Sequence, residues 1–300
     1  MFQWFAGSAH QTHPCHLQVQ KRQHIRSIGI LLMTAIMMPA AAADPGESTV
    51  PSANTQDISI TTVFDNYAVD ARLATRWGFA AVISTPSATV LFDTGSDGAT
   101  LLSNMERLRL DPTGIGKVVI SHIHDDHIGG LRDFLRANAK VLVFLPASFP
   151  DHVRHMIDVA GARHQDVSGP IGIAPGVRST GPLGTSLQEQ ALVVETPKGL
   201  VVITGCAHPG IVSIVKKAQA MSPKADIALV MGGFHLLSAA PGQIDAIVRA
   251  FRELGVQRVA PSHCTGDFAR NRFKEAYGSN YVDGGAGMVI RFAAPQAPMP

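Results

Sequence analysis

The chain has 300 residues, 46% of them hydrophobic, enough to bury a substantial core in one large domain or two small ones. Its formal charge of +2 arises in the first 43 residues, which hold Lys21, Arg22 and Arg26 and no acid; the rest carries 22 basic against 23 acidic residues, a net of −1. No basic stripe remains to bind nucleic acid, and no internal repeat is present.

Residues 1–43 read as a signal peptide. KRQHIR supplies positive charge, IGILLMTAIMM is an apolar run of 11 residues, and AAAAD offers a small-residue cleavage site. The run is short for a transmembrane span, an uncleaved anchor being the alternative. The charged part lies about 20 residues in, which suggests a spurious N-terminal extension and a true start near Val19. The expectation is a periplasmic or secreted protein with its mature terminus near Asp44 and no stable membrane association after cleavage.

A Pro/Ser/Thr-rich linker covers 44–56, and short β-type runs follow. ISITTVF alternates, WGFAAVIST comes next, and ATVLFDTG ends in a turn. LLSNMERLRL has helical spacing, KVVIS reads as a buried strand, GGLRDFLRAN as a helix and KVLVFLP as a strand. The stretch from about 150 to 185 is rich in Gly, Pro and His, and is expected to form loops over one face. Beyond it, ALVVET and LVVITG pair around PKG. IVSIVKKAQAM is helical, DIALVMGG a buried strand, GQIDAIVRAFRELG a helix, RVAPSHC a strand ending at a histidine, and AGMVIRF a closing strand. Buried strands alternating with helices in both halves predict an α/β fold with sheet covered by helices.

Nine of the 13 histidines follow residue 43. The densest group is VVISHIHDDHIGG. His122 and His124, two apart, can face one way on an extended segment, and Asp126 and His127 sit where a helix begins. A solvated helix N-terminus accounts for the aspartates and leaves three histidines unexplained. Imidazoles with a carboxylate form a ligand set for zinc, with iron or manganese as alternatives. Five potential ligands in six residues exceed what one ion uses, so two ions per chain are expected. Cys206 and His208, His235, and His263 each follow a later apolar run by a few residues, so all converge on one sheet edge.

SHIHDDHIGG resembles the HxHxDH signature of the metallo-β-lactamase superfamily, and LFDTGSDG, VVITGCAHPG and VAPSHCTG resemble its other strand-end motifs. FDNYAVD, WGFAAVI, TGCAHPGI, GGFHL and PSHCTG together resemble a subfamily of proteins related to the archaeal dihydropterin–ribofuranosylaminobenzene phosphate synthase and broadly labelled metal-dependent hydrolases. The resemblance implies an αββα sandwich over 57–300, two mixed β-sheets flanked by helices. It implies that His122 and His124 bind a first metal and that Asp126, His127 and His263 bind a second. Asp93 would orient a ligand histidine through a hydrogen bond; a turn-stabilising aspartate is its other reading.

The family pattern also has a histidine before the later strand pair, as third ligand of the first metal. Here the corresponding STGPLGTSLQEQ has none. His208 is the candidate to fill the place, with Glu189 a weaker one because acidic residues at strand starts are usually solvated. Cys206 stands where members carry a bridging aspartate or a cysteine, and reads either as a metal-proximal thiolate or as a small buried residue. A Cys206–Cys264 disulfide is not expected. His235 remains open between ligand, substrate contact and loop residue, and His152, His155 and His164 read as surface.

A dinuclear zinc site activates water and polarises a carbonyl or phosphoryl oxygen. The expected function is therefore an exported hydrolase of an ester, lactone, amide or phosphoester small molecule. Asp126 would hold the nucleophile, and His208 or His235 would assist the leaving group. The alternatives are a transferase joining a pterin to an arylamine, as the subfamily suggests, and a non-catalytic metal-binding protein. The sequence does not fix the oligomeric state.

Overall fold

The computed structural model describes residues 57–293, so the expected leader and linker lie outside the described residues. The apolar runs become strands in the order anticipated. β1 (Ile58–Phe64), β2 (Ala80–Ser84) and β3 (Thr89–Phe92) pair antiparallel. α1 (Gly98–Arg107) leads to β4 (Lys117–Val119), which lies parallel to β3. Two short helices, α2 (Asp125–Ile128) and α3 (Leu131–Ala137), precede β5 (Leu142–Pro146). α4 (Asp151–Val159) precedes β6 (Arg163–Val167), and β5 and β6 extend the parallel run.

The second sheet mirrors this logic. β7 (Ile171–Ala174), β8 (Val177–Ser179), β9 (Leu192–Thr196) and β10 (Gly199–Thr204) form an antiparallel meander. α5 (Ile211–Met221) then crosses to β11 (Ile227–Gly233), and α6 (Pro241–Glu253) to β12 (Val259–Ser262), both parallel to β10. α7 (Asp267–Tyr277) follows, and β13 (Val289–Phe292) returns beside β1. The sheets run β13-β1-β2-β3-β4-β5-β6 and β12-β11-β10-β9-β8-β7.

Period-two alternation explains why two faces of each sheet can be buried at once. In β2, Ala81 and Ile83 point between the sheets while Ala80 and Val82 point to the helices. In β10, Val201 and Ile203 face inward and Leu200 and Val202 outward. The inner layer holds Phe79, Phe92, Leu192 and Met231. One outer layer packs Leu101, Met105, Phe134 and Ile157 of α1, α3 and α4, the other Ile214, Phe251 and Phe273 of α5, α6 and α7. The result is the αββα sandwich.

The stretch 150–185, expected to be loops, instead carries α4, β6, β7 and β8. The strands are three to five residues long, too short for alternation to register, and are held by backbone pairing. α4 buries only Val153 and Ile157, one turn apart. α1 also begins three residues before the apolar run, because the Asp97 carboxylate accepts from Thr100 N at 2.9 Å and caps it. Among the described residues no helix is long and apolar enough to cross a membrane.

One buried polar side chain holds the β1–β2 connection. Asn104 of α1, fully buried, accepts from Ala74 N at 2.9 Å and donates to the carbonyls of Val63 (3.0 Å) and Ala74 (2.8 Å). Asn104→Ala leaves these backbone groups without partners and is expected to cost about 2–4 kcal/mol in urea unfolding. A loss below about 0.5 kcal/mol, the range of a neutral surface change, would contradict this account.

Candidate metal centre

The parallel strands of both sheets end at one edge, and the polar residues follow directly. Asp93 comes after β3, Ser121 to His127 after β4, Cys206 to His208 after β10, His235 after β11 and His263 after β12. Each connection reverses sharply. Of the five non-glycine residues with positive φ among those described, four are here: Asp93 (58°), Ala207 (66°), His235 (54°) and His263 (50°). Such left-handed residues persist only where their surroundings fix them. At Gly205 the approach is so close that a Cβ would run into Ser121 Oγ and Asp93 Oδ2.

The side chains form two adjoining nests. In the first, ligand atoms of His122, His124 and His208 lie within 4.8 Å of one another. The rings of His122 and His208 are 4.6 Å apart and those of His124 and His208 4.9 Å apart. The second nest gathers Asp126, His127, Cys206 and His263. Its atoms nearly touch. Cys206 Sγ is 3.2 Å from His127 Nε2 and 3.4 Å from His263 Nε2, and Asp126 Oδ2 is 3.2 Å from His263 Nε2 and 3.6 Å from His127 Nε2. Bond lengths of about 2.0 Å for nitrogen and 2.3 Å for sulfur give tetrahedral edges of about 3.3–3.8 Å. The spacing therefore suits four ligands around one cation. His235, exposed at the mouth with its ring 4.4 Å from His208, forms a third grouping with Cys206 and His208.

The chemistry of the donors agrees. Burial and neighbouring imidazoles push His122 and His127 down to about 3, so both rings are neutral and present a lone pair. The buried Nε2 of His122 has no hydrogen-bond partner. Such an orphan is costly unless a cation takes it up. Burial would raise Asp126, but its hydrogen bond to His263 and the charges of His127 and His263 hold it well below the usual carboxylate range. The Cys206 thiol is held far above its ordinary range by its hydrogen bond with Cys264, by burial and by the Glu189 and Asp126 carboxylates. Only a nearby cation reverses that, since coordination deprotonates a thiol outright. Cys206 and Cys264 are free thiols, both buried.

Behind the nests stands a layer of fixed acceptors. Asp93 Oδ2 lies 2.7 Å from His127 Nδ1 and accepts from Ser121 Oγ at 2.7 Å, and that hydroxyl is 2.9 Å from His122 Nδ1. One carboxylate thus aligns a ring in each nest. Its burial raises Asp93 to about 8, a cost that a cation across the imidazole would relieve. Asn66 Oδ1 is 3.0 Å from His263 Nδ1, and buried Asp65 accepts from Tyr67 N. Glu189 is fully buried rather than solvated, and accepts four hydrogen bonds from the 206–208 loop. Sequence reasoning did not find Ser121, Asp65 or Asn66 as supporting residues. The signal was present, since each follows an apolar strand by one or two positions, as the histidines do. His152 and His155 are exposed and His164 is partly buried against Asp158, outside both nests.

The sandwich with this ligand-lined edge defines a metallo-β-lactamase-type architecture. The sequence profile described as the metallo-beta-lactamase superfamily matches residues 78–218. A 7,8-dihydropterin-6-methyl-4-(beta-D-ribofuranosyl)-aminobenzene-5'-phosphate synthase of Methanocaldococcus jannaschii is 29% identical over 247 residues, 68% of this chain and 84% of the relative. A solved structure described as a metal-dependent hydrolase of the beta-lactamase superfamily is 29% identical, with a TM-score of 0.67 over 78% of this chain and 98% of its own. A metallo-beta-lactamase fold protein of Bacillus subtilis shares the fold at 14% identity, TM-score 0.58, over 79% of this chain and 99% of its own. Over residues 78–218 the chain is similar to proteins of the metallo-beta-lactamase superfamily.

Asp93→Asn keeps the size of the side chain but presents an amide to His127 and Ser121. It is expected to weaken zinc binding about 10–100-fold in competition with a chromophoric chelator. Unchanged affinity would show that Asp93 serves only the turn.

Proposed function

We propose that the protein is a metal-dependent hydrolase of small molecules, exported by its leader-like residues 1–43. The observation that carries this is the pair of adjoining nests, one with an orphaned imidazole nitrogen and the other at tetrahedral spacing. His122, His124 and His208 would hold one ion, and Asp126, His127, Cys206 and His263 the other. Nitrogen, sulfur and carboxylate donors in this mixture favour zinc. When bound, such ions supply Lewis acidity for a carbonyl or phosphoryl oxygen and generate a water nucleophile at neutral pH. Asp126, partly exposed and 3.2 Å from His263 Nε2 in the second nest, would orient the attacking water through its carboxylate. His208 has Nδ1 engaged by Glu189 and serves as a ligand. That leaves His235, exposed and adjacent, to hand a proton to the leaving group.

Exposed apolar side chains near the nests support a proposal about the substrate's substituent. Trp77, 47% exposed, sets its indole 4.8 Å from the His263 ring. Leu237 and Phe268, two residues after His235 and five after His263, are also exposed. Aromatic and apolar side chains beside a polar centre suit a substrate with an aryl or long acyl substituent. Trp77→Ala is expected to lower kcat/KM for an aryl or decanoyl ester about 10-fold, roughly the worth of one buried aromatic contact, and for a methyl ester less than about 2-fold. Equal losses on both esters would remove Trp77 from substrate binding.

A second reading is a synthase condensing a pterin with an arylamine, supported by the 29% identity to the archaeal enzyme. Metal analysis with a panel of esters, lactones, amides and phosphoesters separates the two. The hydrolase reading requires close to two ions per chain and a turnover abolished by chelator and restored by zinc. Turnover of a pterin pyrophosphate with an arylamine but of no hydrolytic substrate would replace it by the synthase. Less than one ion and no turnover would leave a metal-binding protein.

A further inference from the structure

The first nest takes two ligands from the HIHDDH loop and needs a third from elsewhere. The family pattern places a histidine in the stretch that is STGPLGTSLQEQ here, residues 179–190, which has none. Glu189 stands in that stretch. Its carboxylate, fully buried, accepts from the backbone N–H of Cys206 (2.9 Å) and Ala207 (2.8 Å) through Oε1, and from His208 N (2.8 Å) through Oε2. Oε2 also lies 2.9 Å from His208 Nδ1. All four contacts converge on three consecutive residues.

We propose that Glu189 is the positioning residue of the first metal nest, supplying by recruitment of His208 the ligand that its own chain segment lacks. The inference rests on His208 being a metal ligand. Three successive N–H groups point at one carboxylate only because Ala207 adopts a left-handed φ of 66°, which turns the loop back on itself. That conformation is unfavourable for alanine and needs an external anchor. Glu189 is itself anchored, its backbone exchanging hydrogen bonds with Leu183 at 3.0 and 2.9 Å. The next residue, Gln190, binds Ser121 O through its backbone N–H (3.0 Å) and Ile120 O through its side chain (2.8 Å). The segment therefore ties the His208 loop to the strand end that carries His122.

The ring contact sets the tautomer. A carboxylate only accepts, so His208 Nδ1 carries the hydrogen and Nε2 keeps its lone pair. Nε2 is the nitrogen left for the nest shared with His122 and His124. A glutamine at 189 would present an amide N–H to the same nitrogen, favouring the opposite tautomer and blocking Nε2.

The test compares wild type, Glu189→Gln, Glu189→Asp and His208→Ala of the full chain, using zinc alone as probe. Stoichiometry and affinity are read by elemental analysis and chelator competition. Ring nitrogen shifts of His208 are read by 15N NMR in the zinc-free wild type. The proposal expects a Nδ1–H tautomer, an affinity of the weaker site lowered about 10–100-fold in Glu189→Gln, and partial recovery in Glu189→Asp. A Nε2–H tautomer in the wild type overturns it without any variant, so a misfolded substitution does not decide the matter. Loss of one ion in His208→Ala with full affinity in Glu189→Gln also overturns it, while leaving His208 as a ligand. Full zinc in His208→Ala instead overturns the ligand reading on which it stands.

Discussion

The organising constraint is that three histidines and three carboxylates are buried where the strands end. His122, His127, His263, Asp65, Asp93 and Glu189 have no exposed surface. Polar groups taken out of water at this density are tolerated only when each has a fixed partner. The molecule meets this with an outer layer of partners. Asp93 serves His127 and, through Ser121, His122; Asn66 serves His263; Glu189 serves His208. Each ring is thereby turned so that its other nitrogen faces the nests. The same contacts that make the burial affordable aim the donors at a common point.

The sandwich is the part that makes such a layer possible. Two sheets with apolar inner faces and helix-covered outer faces leave the strand ends as the place where chemistry can gather. Asp93 comes from the first sheet and Cys206 and Glu189 from the second, so the supporting layer spans both. Gln190 bonding to Ile120 and Ser121 is the direct backbone tie between them. Donor geometry therefore depends on the relative seating of the sheets, which the inner core of Phe79, Phe92, Leu192 and Met231 sets.

Legibility in the sequence followed the length of each signal. IVSIVKKAQAM, with eleven residues of helical period, corresponds to α5 residue for residue. The hairpin of β9 and β10 around PKG was equally plain. The strands β6, β7 and β8 were not, because three to five residues among glycines and two prolines carry no periodicity above noise. The site divides in the same way. Histidines at strand ends announce themselves by type and place. Glu189 does not, because three of its four partners are backbone N–H groups that any residue supplies, and a lone acid at a strand start reads as solvated. Trp77 was hidden in an apolar run, and its position against His263 depends on a contact nearly two hundred residues away in the chain.

Cys206 and His208 are two residues apart; one lies in the second nest and the other in the first, and they also share a grouping with His235. They are therefore a single mechanical lever. A rotation of that short loop about Ala207 that draws the thiol toward one centre necessarily moves the imidazole at the other. The donors that this loop gives to the two nests therefore share one backbone setting rather than two independent ones.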